Sequence, residues 1–522
     1  MSSPAHIIVI GTGIGGLATA LRLLATGAQV TMFEAAEAVG GKMRTVPSMA
    51  GPVDAGPTVL TMRWVFDDLF EACGERLDDH VTLTPDTTIA RHFWSDGTTL
   101  DLMSDPSASA QNVAEAFGAR AAQEFEAFSN RAKRLFTAFD RPMMQAAKPS
   151  SLALAGVVMK DPRILRAMAP HQTLAQMLRG QFSDPKLRQM FGRYATYVGG
   201  SPYAAPSLLS LIWHAEGTGV WSVKGGMHAL ARALHDLIVA RGGVIHLGTP
   251  VSHIADTDTG ACITVDGIRH HADAVAFNGD PRALTTGHLG DTARTAVPDA
   301  AVTPRSLSAD VMAFAAIPQG VDLSHHNVFF GDDPRDEFDP IAAGKIPTDP
   351  TLYICAQDRG GNAIPSGPER FEIIMNAAPC GPDDTATHER AAQCQTHILT
   401  RLEQMGLSFT PMPDTTTLTQ PADFNQLFPA SLGSLYGRSP HGMTAGLKRP
   451  TARTAMGGLY LAGGGAHPGA GVPMATLSGL HAAEAISTDL RLTLPSRPTV
   501  TLGGTSTASA TTAPAPSASS PS

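Results

Sequence analysis

The chain is poor in cysteine and in aromatic rings: five of its 522 residues are cysteines, and aromatics make up 6%. Cys73, Cys262, Cys355, Cys380 and Cys394 are scattered, without a C-x-x-C pair or a ligand-like interval. That excludes a disulfide framework and points to buried thiols in a reducing compartment. No metal site is expected: His325 and His326 are adjacent, which on a strand sends their rings to opposite faces, and no carboxylate lies at a ligand-like interval. No run of about 20 apolar residues suggests a transmembrane helix. The start lacks a charged stretch leading into an apolar core, so a cytoplasmic origin is expected. A net charge of −9, with no basic cluster interleaved with aromatics, excludes nucleic acid as a partner. Internal repeats, a catalytic His–Asp pair and paired carboxylates are all missing too.

What the chain does have is glycine, concentrated at its two ends. Residues 7–10, Ile-Ile-Val-Ile, suit a buried parallel strand, and Gly11-Thr-Gly13-Ile-Gly15-Gly16 follows at once, ahead of an apolar helix pattern at Leu17, Ala20, Leu21 and Leu24. In this setting Gly11 permits the tight turn, Gly13 lets a pyrophosphate approach the main chain, and Gly16 allows close packing of helix on strand. A second strand, Val30-Thr-Met-Phe33, delivers Glu34 where an acid accepts hydrogen bonds from a ribose. No basic residue stands beside Glu34, which disfavours a 2′-phosphate and leaves the adenosine half of FAD or NAD. Near the other end, Gly458-Leu-Tyr-Leu-Ala462 reads as another buried strand. The cluster Gly463 to Gly471 then leads into a helix expected over about Met474 to Ile486. Bare main chain in such a cluster can touch a flat ring system, and the helix start can stabilise negative charge there.

Gly40-Gly41-Lys42-Met-Arg44 and Asp54-Ala-Gly56-Pro57-Thr58, following Glu34, resemble the amine oxidase and carotenoid desaturase superfamily of FAD enzymes. The resemblance narrows at His467-Pro-Gly-Ala-Gly471-Val472-Pro473, which is similar to the C-terminal signature of bacterial phytoene-desaturase-type carotenoid dehydrogenases. The middle block of that family is matched by Arg193 to Pro206 and Gly219 to Leu230. Asp54 to Met62 and Arg91-His-Phe-Trp94 look like the hydroxyneurosporene and methoxyneurosporene dehydrogenases, which act on 1-hydroxylated carotenoids. The likeness spans residues 6 to 487. Many flavoproteins of this fold carry Gly-Asp after the last strand, whereas this chain has Gly463-Gly464, as the carotenoid group commonly does.

The resemblance implies an α/β, Rossmann-like FAD-binding domain with an interleaved α+β substrate domain and an apolar helical region facing a membrane. FAD-binding parts are expected at 1–80, 219–290 and 440–487, a substrate and helical part at 81–218, a substrate domain at 291–439 and a disordered Ser/Thr/Ala/Pro tail at 495–522. Gly242 to Val251 and Ala272 to Phe277 read as strands returning to the nucleotide part, and the resemblance places Val251 near the adenine. With it, Gly11, Gly13, Gly15, Gly16, Glu34, Gly41, Lys42, Arg44, Gly56, Pro57, Thr58, Gly464, Gly471, Val472 and Pro473 are the expected cofactor residues.

The implied activity is an FAD-dependent carotenoid desaturase that introduces a C3–C4 double bond into 1-hydroxylated acyclic carotenoids by hydride transfer. A phytoene desaturase, a carotenoid isomerase and a flavin-free prenyl-chain escort protein are the alternatives. No catalytic side chain is assigned, because the chemistry falls to FAD. Tyr194, Tyr197, His214 and Glu216 are candidates to receive the substrate hydroxyl, each otherwise an ordinary satisfied polar residue. His467 is either a flavin or substrate contact or an imidazole held by main chain. The apolar stretches Ser151 to Met159 and Ile164 to Pro170 read as core helices; for a polyene dissolved in a bilayer, one of them would instead dip into it. That would put the protein at the inner face of the cell membrane. Oxygen, a quinone or another carrier could reoxidise FAD.

Overall fold

The computed structural model describes residues 4–257 and 260–494. The tail expected over 495–522 lies outside the described residues.

Five strands form one parallel sheet in the order Leu459–Leu461, Ala274–Phe277, His6–Ile10, Gln29–Phe33, Val244–His246. They come from three separate stretches of chain. The apolar run of the first strand is buried on both faces, as a central parallel strand must be. Ile7 and Val9 join Leu17, Leu21, Leu230, Leu234, Leu477 and Leu480, so this face carries the helices Ile14–Leu24, His228–Ala240 and Val472–Leu490. Ile8 and Ile10 point the other way, against Val275, Phe277, Ile254 and Ile263. Ile254 and Ile263 belong to a three-stranded antiparallel sheet, Val251–Thr257, Gly260–Val265 and Ile268–Ala272. The last helix begins two residues earlier than expected and runs further. Pro473 in its first turn is compatible with the helix because its fixed φ suits that position, and Gly471 enters with φ +104°.

A second, larger sheet is mostly antiparallel and runs Ser408–Thr410, Ser308–Gln319, Glu369–Ala377, Leu352–Ala356, His326–Phe329, Thr88–Phe93, Thr99–Met103, with Leu418–Thr419 also pairing onto Ser308–Gln319. Phe314, Phe371, Ile373 and Ile354 on one face bury against Cys394, Ile398 and Leu402 of the helix His388–Gln404. The opposite face carries a cross-strand row of Ala313, Glu372, Cys355 and His326. Val53 and Ala55 pack on Ala313, so the small ribbon Thr45–Val46/Val53–Asp54 ties this face to the nucleotide part. Helices Ala119–Phe139, Leu174–Gln181 and Pro185–Gly192 close the structure around Phe125, Phe128, Phe182, Phe191 and Trp213.

Among the described residues no helix is long and apolar enough to cross a membrane. The reading of Ser151 to Met159 as a core helix is corrected. Helix Ser151–Lys160 buries none of its residues, and Leu152 and Met159 are 85% and 81% exposed. The next helix, Pro162–Met168, does bury Ile164 and Ala167.

Candidate functional site

The two glycine clusters meet. The strand His6–Ile10 ends at Gly11, whose φ of +91° favours glycine. The helix Ile14–Leu24 then opens from Gly13 with no side-chain cap, leaving its first amides free to bind an anion. A methyl on Gly16 would lie 2.2 Å from the Gly11 carbonyl oxygen, and one on Gly15 would lie 2.5 Å from the Gly463 nitrogen. On Gly13 it would meet Asn278 Nδ2 at 2.8 Å, on Gly41 it would sit 3.1 Å from Gly13 Cα, and on Gly56 it would strike the Lys42 carbonyl oxygen at 1.9 Å. Asn278, at the end of the strand Ala274–Phe277, is the hub that sequence reasoning missed. Its Nδ2 donates to the Gly11 carbonyl at 3.3 Å, while its buried Oδ1 has no partner. Its position directly after an apolar strand was the only available signal.

Glu34 stands at the end of Gln29–Phe33 and accepts hydrogen bonds from Thr12 N at 2.6 Å, Thr12 Oγ1 at 2.8 Å and Ala36 N at 2.9 Å. Ionised carboxylate oxygens have lone pairs left over for ribose hydroxyls. Thr249 N donates to the Glu34 carbonyl at 2.7 Å, which brings the half-buried Val251 to the same end of the sheet. Lys42 and Arg44 each have a protein partner. Lys42 Nζ donates to the Leu435 carbonyl at 2.6 Å, and burial pushes its pKa down to about 8 against the opposing pull of Asp280. Arg44 Nη2 donates to Thr419 Oγ1 at 2.8 Å, and its guanidinium stands 5.7 Å from the Phe424 ring centre. The half-buried Pro57 leads to Thr58, whose hydroxyl is 2.7 Å from the Tyr353 hydroxyl.

On the C-terminal side, Gly464 packs beside Ala470, and Arg449, another residue that the sequence did not single out, donates from Nη1 to the Gly464 carbonyl at 2.9 Å. Gly471, Val472 and Pro473 form the start of the last helix. His467 is an imidazole held by main chain: its ring is 2.8 Å from the Ala146 carbonyl oxygen, and burial lowers its pKa to about 4.

Three buried polar groupings flank this cradle. In the first, Arg193 Nη2 donates to the Tyr197 hydroxyl at 3.1 Å, which donates to Glu216 Oε1 at 3.0 Å, with Tyr194 alongside. Desolvation raises both tyrosines above the usual phenol range. His214 stands apart from these hydrogen bonds, edge-on to Phe136 at 5.1 Å. The second corrects the expectation that His325 and His326 diverge. Their rings stack at 4.1 Å, and Asp86, distant in sequence, lies 3.0 Å from His325 Nδ1 and 3.8 Å from His326 Nε2. His325 precedes the strand His326–Phe329, so strand alternation does not govern it. Donor atoms of His325, His326 and Cys355 fall within 4.8 Å of one another, a set able to hold a metal ion. His325 Nδ1 is engaged by Asp86 and Ser222 and His326 Nδ1 by the Tyr353 hydroxyl, while His326 Nε2 is buried without a hydrogen-bond partner. The third grouping is Arg44 with Glu372, whose carboxyl oxygens have no hydrogen-bond partner.

A cradle that excludes Cβ atoms, an uncapped helix start and an acid at the end of the second strand suit the pyrophosphate and ribose of FAD. Residues 14–306 match the family described as flavin containing amine oxidoreductase. The chain is 57% identical to a hydroxyneurosporene desaturase of Cereibacter sphaeroides, over 93% of this chain and 98% of the relative. It is 48% identical to a hydroxyneurosporene desaturase of Rhodobacter capsulatus, over 94% and 99%. Among solved structures it is similar to cyclohexylamine oxidase from Brevibacterium oxydans, with a TM-score of 0.56 and 17% identity over 94% of this chain and all of that one.

Proposed function

The chain belongs to the flavin containing amine oxidoreductase family and, within it, with the hydroxyneurosporene desaturases, and on that footing we propose that it is an FAD-dependent desaturase introducing the C3–C4 double bond into 1-hydroxylated acyclic carotenoids. The observation that carries this reading is the full-length relationship to those desaturases together with the glycine cradle closed by both chain ends around Asn278.

The reaction removes one hydride and one proton from a saturated CH2–CH2 unit beside a conjugated polyene. FAD, when bound, supplies the hydride acceptor. Gly11, Gly13, Gly15 and Gly16 with the first turn of Ile14–Leu24 would hold the pyrophosphate and Glu34 the ribose, with Val251 toward the adenine. Gly41, Gly56, Pro57, Thr58, Gly464, Gly471, Val472 and Pro473 would line the rest of the FAD site. The chain's further work is to exclude water and hold a long apolar substrate in register. Loss of hydride leaves positive charge spread along the polyene, which acidifies the neighbouring C–H, so a weak base suffices. No base is assigned: His467 is anchored through Nε2 at the Ala146 carbonyl, and its buried Nδ1 has no protein partner.

The substrate is a bilayer solute, and the outer side of helix Ser151–Lys160, where Leu152 and Met159 are exposed, is the surface we assign to the inner face of the cell membrane.

The test is incubation of FAD-loaded protein with 1-hydroxyneurosporene in liposomes, followed by mass and absorption spectra of the pigment. Loss of two hydrogens with a red-shifted spectrum is expected. A spectral shift at unchanged mass would make the protein an isomerase, and conversion of phytoene alone would make it a general phytoene desaturase.

A further inference from the structure

Glu372 lies in the strand Glu369–Ala377 inside the large sheet, on the face turned toward the Thr45–Val46/Val53–Asp54 ribbon, between Ala313 and Cys355. It is 0% exposed, and neither carboxyl oxygen has a hydrogen-bond partner. Buried carboxyl groups are almost always paired, so an orphan of this kind marks a place where a partner is missing. Arg44 is the nearby cation, and its Nε is also buried without a partner. Burial and Asp54 raise the Glu372 pKa well above the carboxylate range, with Arg44 opposing them. The face is not sealed: Ile374, the next residue on the same side, and Tyr353 opposite it are partly accessible.

The chemistry of the substrate says where its hydroxyl has to go. The reading above places the new double bond at C3–C4 and the hydroxyl on C1. Two carbon–carbon bonds of about 1.5 Å and one C–O bond then leave the hydroxyl oxygen within about 4 Å of C3. Its receptor therefore stands beside the reacting carbons, where the 41–58 segment meets the large sheet, and not at a remote tunnel end. Arg44 reaches that sheet through Thr419, whose strand pairs with Val311 and Met312 beside Ala313, the cross-strand neighbour of Glu372. A hydroxyl both accepts and donates, and between these residues it would accept from Arg44 Nε–H and donate to a Glu372 oxygen.

We propose that Arg44 and Glu372 form the socket for the tertiary hydroxyl of the substrate, and that this socket sets the preference for 1-hydroxylated over unhydroxylated polyenes. The inference rests on the desaturase reading. It assigns specificity to a residue inside the substrate sheet that no sequence motif singles out. A site built to hydrogen-bond a hydroxyl rejects the analogue lacking it by up to about 10⁴–10⁵-fold, because its polar groups are then stranded.

The experiment compares FAD-loaded wild type, Glu372→Leu and Glu372→Gln with 1-hydroxyneurosporene and neurosporene, reading kcat/KM for each, flavin content, and equilibrium binding of each pigment without turnover. Glu372→Leu removes a carboxyl that has no partner to lose, so it is expected to fold and keep FAD. The expected result is a fall of about a hundredfold or more in the hydroxylated-to-unhydroxylated ratio in both turnover and binding. Glu372→Gln, which keeps an acceptor and a donor, is expected to retain most of the ratio. An equal loss on both pigments, an unchanged binding ratio, or abolished turnover in Glu372→Gln with its binding preference intact would overturn the socket, the last by making Glu372 a proton acceptor. Should wild type turn over neither pigment, the desaturase reading fails, while the binding ratio still decides the socket.

Discussion

Gly15→Ala probes the claim that one cofactor site is closed by the two ends of the chain. The added methyl would stand 2.5 Å from the Gly463 nitrogen, 2.7 Å from Gly463 Cα and 2.7 Å from Asn278 Oδ1. The first two are main-chain atoms that no rotamer change can move, so strand and helix must separate locally. Overpacking of this kind costs about 1–3 kcal/mol. Against a total stability of about 5–15 kcal/mol the protein still folds, but the gap between Gly13 and Gly463 opens where the pyrophosphate binds. Purified Gly15→Ala is therefore expected to be paler, with FAD content well below wild type at equal protein concentration, and to unfold at a lower temperature. Gly180→Ala is the control. Gly180 is an exposed helical glycine with nothing within 4 Å of an added methyl. Alanine there should leave FAD content unchanged and raise stability by up to about 1 kcal/mol. Normal FAD occupancy and an unshifted midpoint in Gly15→Ala would refute the packed junction.

Glu34→Ala strips Thr12 N and Oγ1 of their acceptor and leaves the ribose unpaired. FAD affinity should weaken by about 1–3 kcal/mol in titration calorimetry, and unchanged affinity would mean the acid serves only the local turn. His467 is held neutral, with a folded pKa of about 4 against about 6.5 in the unfolded chain, so its contribution is full above pH 6.5 and is lost as pH falls toward 4, by about 3 kcal/mol in all. Urea unfolding of His467→Gln should show a shallower decline over that window than wild type, and equal slopes would refute the assignment. Leu152→Asp with Met159→Glu alters only exposed side chains. Flotation with anionic vesicles should fall several-fold at an unchanged melting temperature, and unaltered flotation would remove Ser151–Lys160 from the membrane surface.

The readable parts of this chain were those whose physics is local. A four-residue apolar run, a turn that needs φ > 0, and an acid one strand later are dictated by neighbours in sequence, and Gly11 to Glu34 is built accordingly. Asn278, Arg449 and Glu372 were opaque for the opposite reason. Asn278 matters because it stands 267 residues from the Gly11 carbonyl it binds, and Glu372 because the sheet lays it under a ribbon from near the N-terminus. The histidine pair failed on a finer point. Alternation holds only within a strand, and His325 stands one residue before one, free to turn its ring onto that of His326 and toward Asp86. The stretch Ser151 to Met159 is divided by the fold: Leu154, Val157 and Val158 pack partly against the cluster around Leu135 and Phe139, while Leu152 and Met159 stay exposed, a split that apolar composition alone does not specify.

The two buried Arg–Glu groupings invite the same role but differ in how far they are already satisfied. Between Arg193 and Glu216 the Tyr197 hydroxyl is in place, accepting from the arginine and donating to the carboxylate. That is the arrangement expected of a substrate hydroxyl in a receptor, here filled by the chain itself. Arg193 Nε and Glu216 Oε2 stay unpartnered there, whereas in the other grouping no hydroxyl bridges the pair at all, and Arg44 Nε and both Glu372 oxygens are unpartnered. A group that supplies its own hydroxyl gains little from the substrate's, so the Tyr197 network should act in stability rather than selectivity. Tyr197→Phe removes the bridge while keeping the ring, leaving Glu216 Oε1 without its donor at a cost of about 1–3 kcal/mol. Its melting temperature should fall while the preference for hydroxylated pigment stays. A lost preference at wild-type stability would move the hydroxyl receptor to Tyr197 and Glu216 and leave Glu372 a buried acid with no ligand.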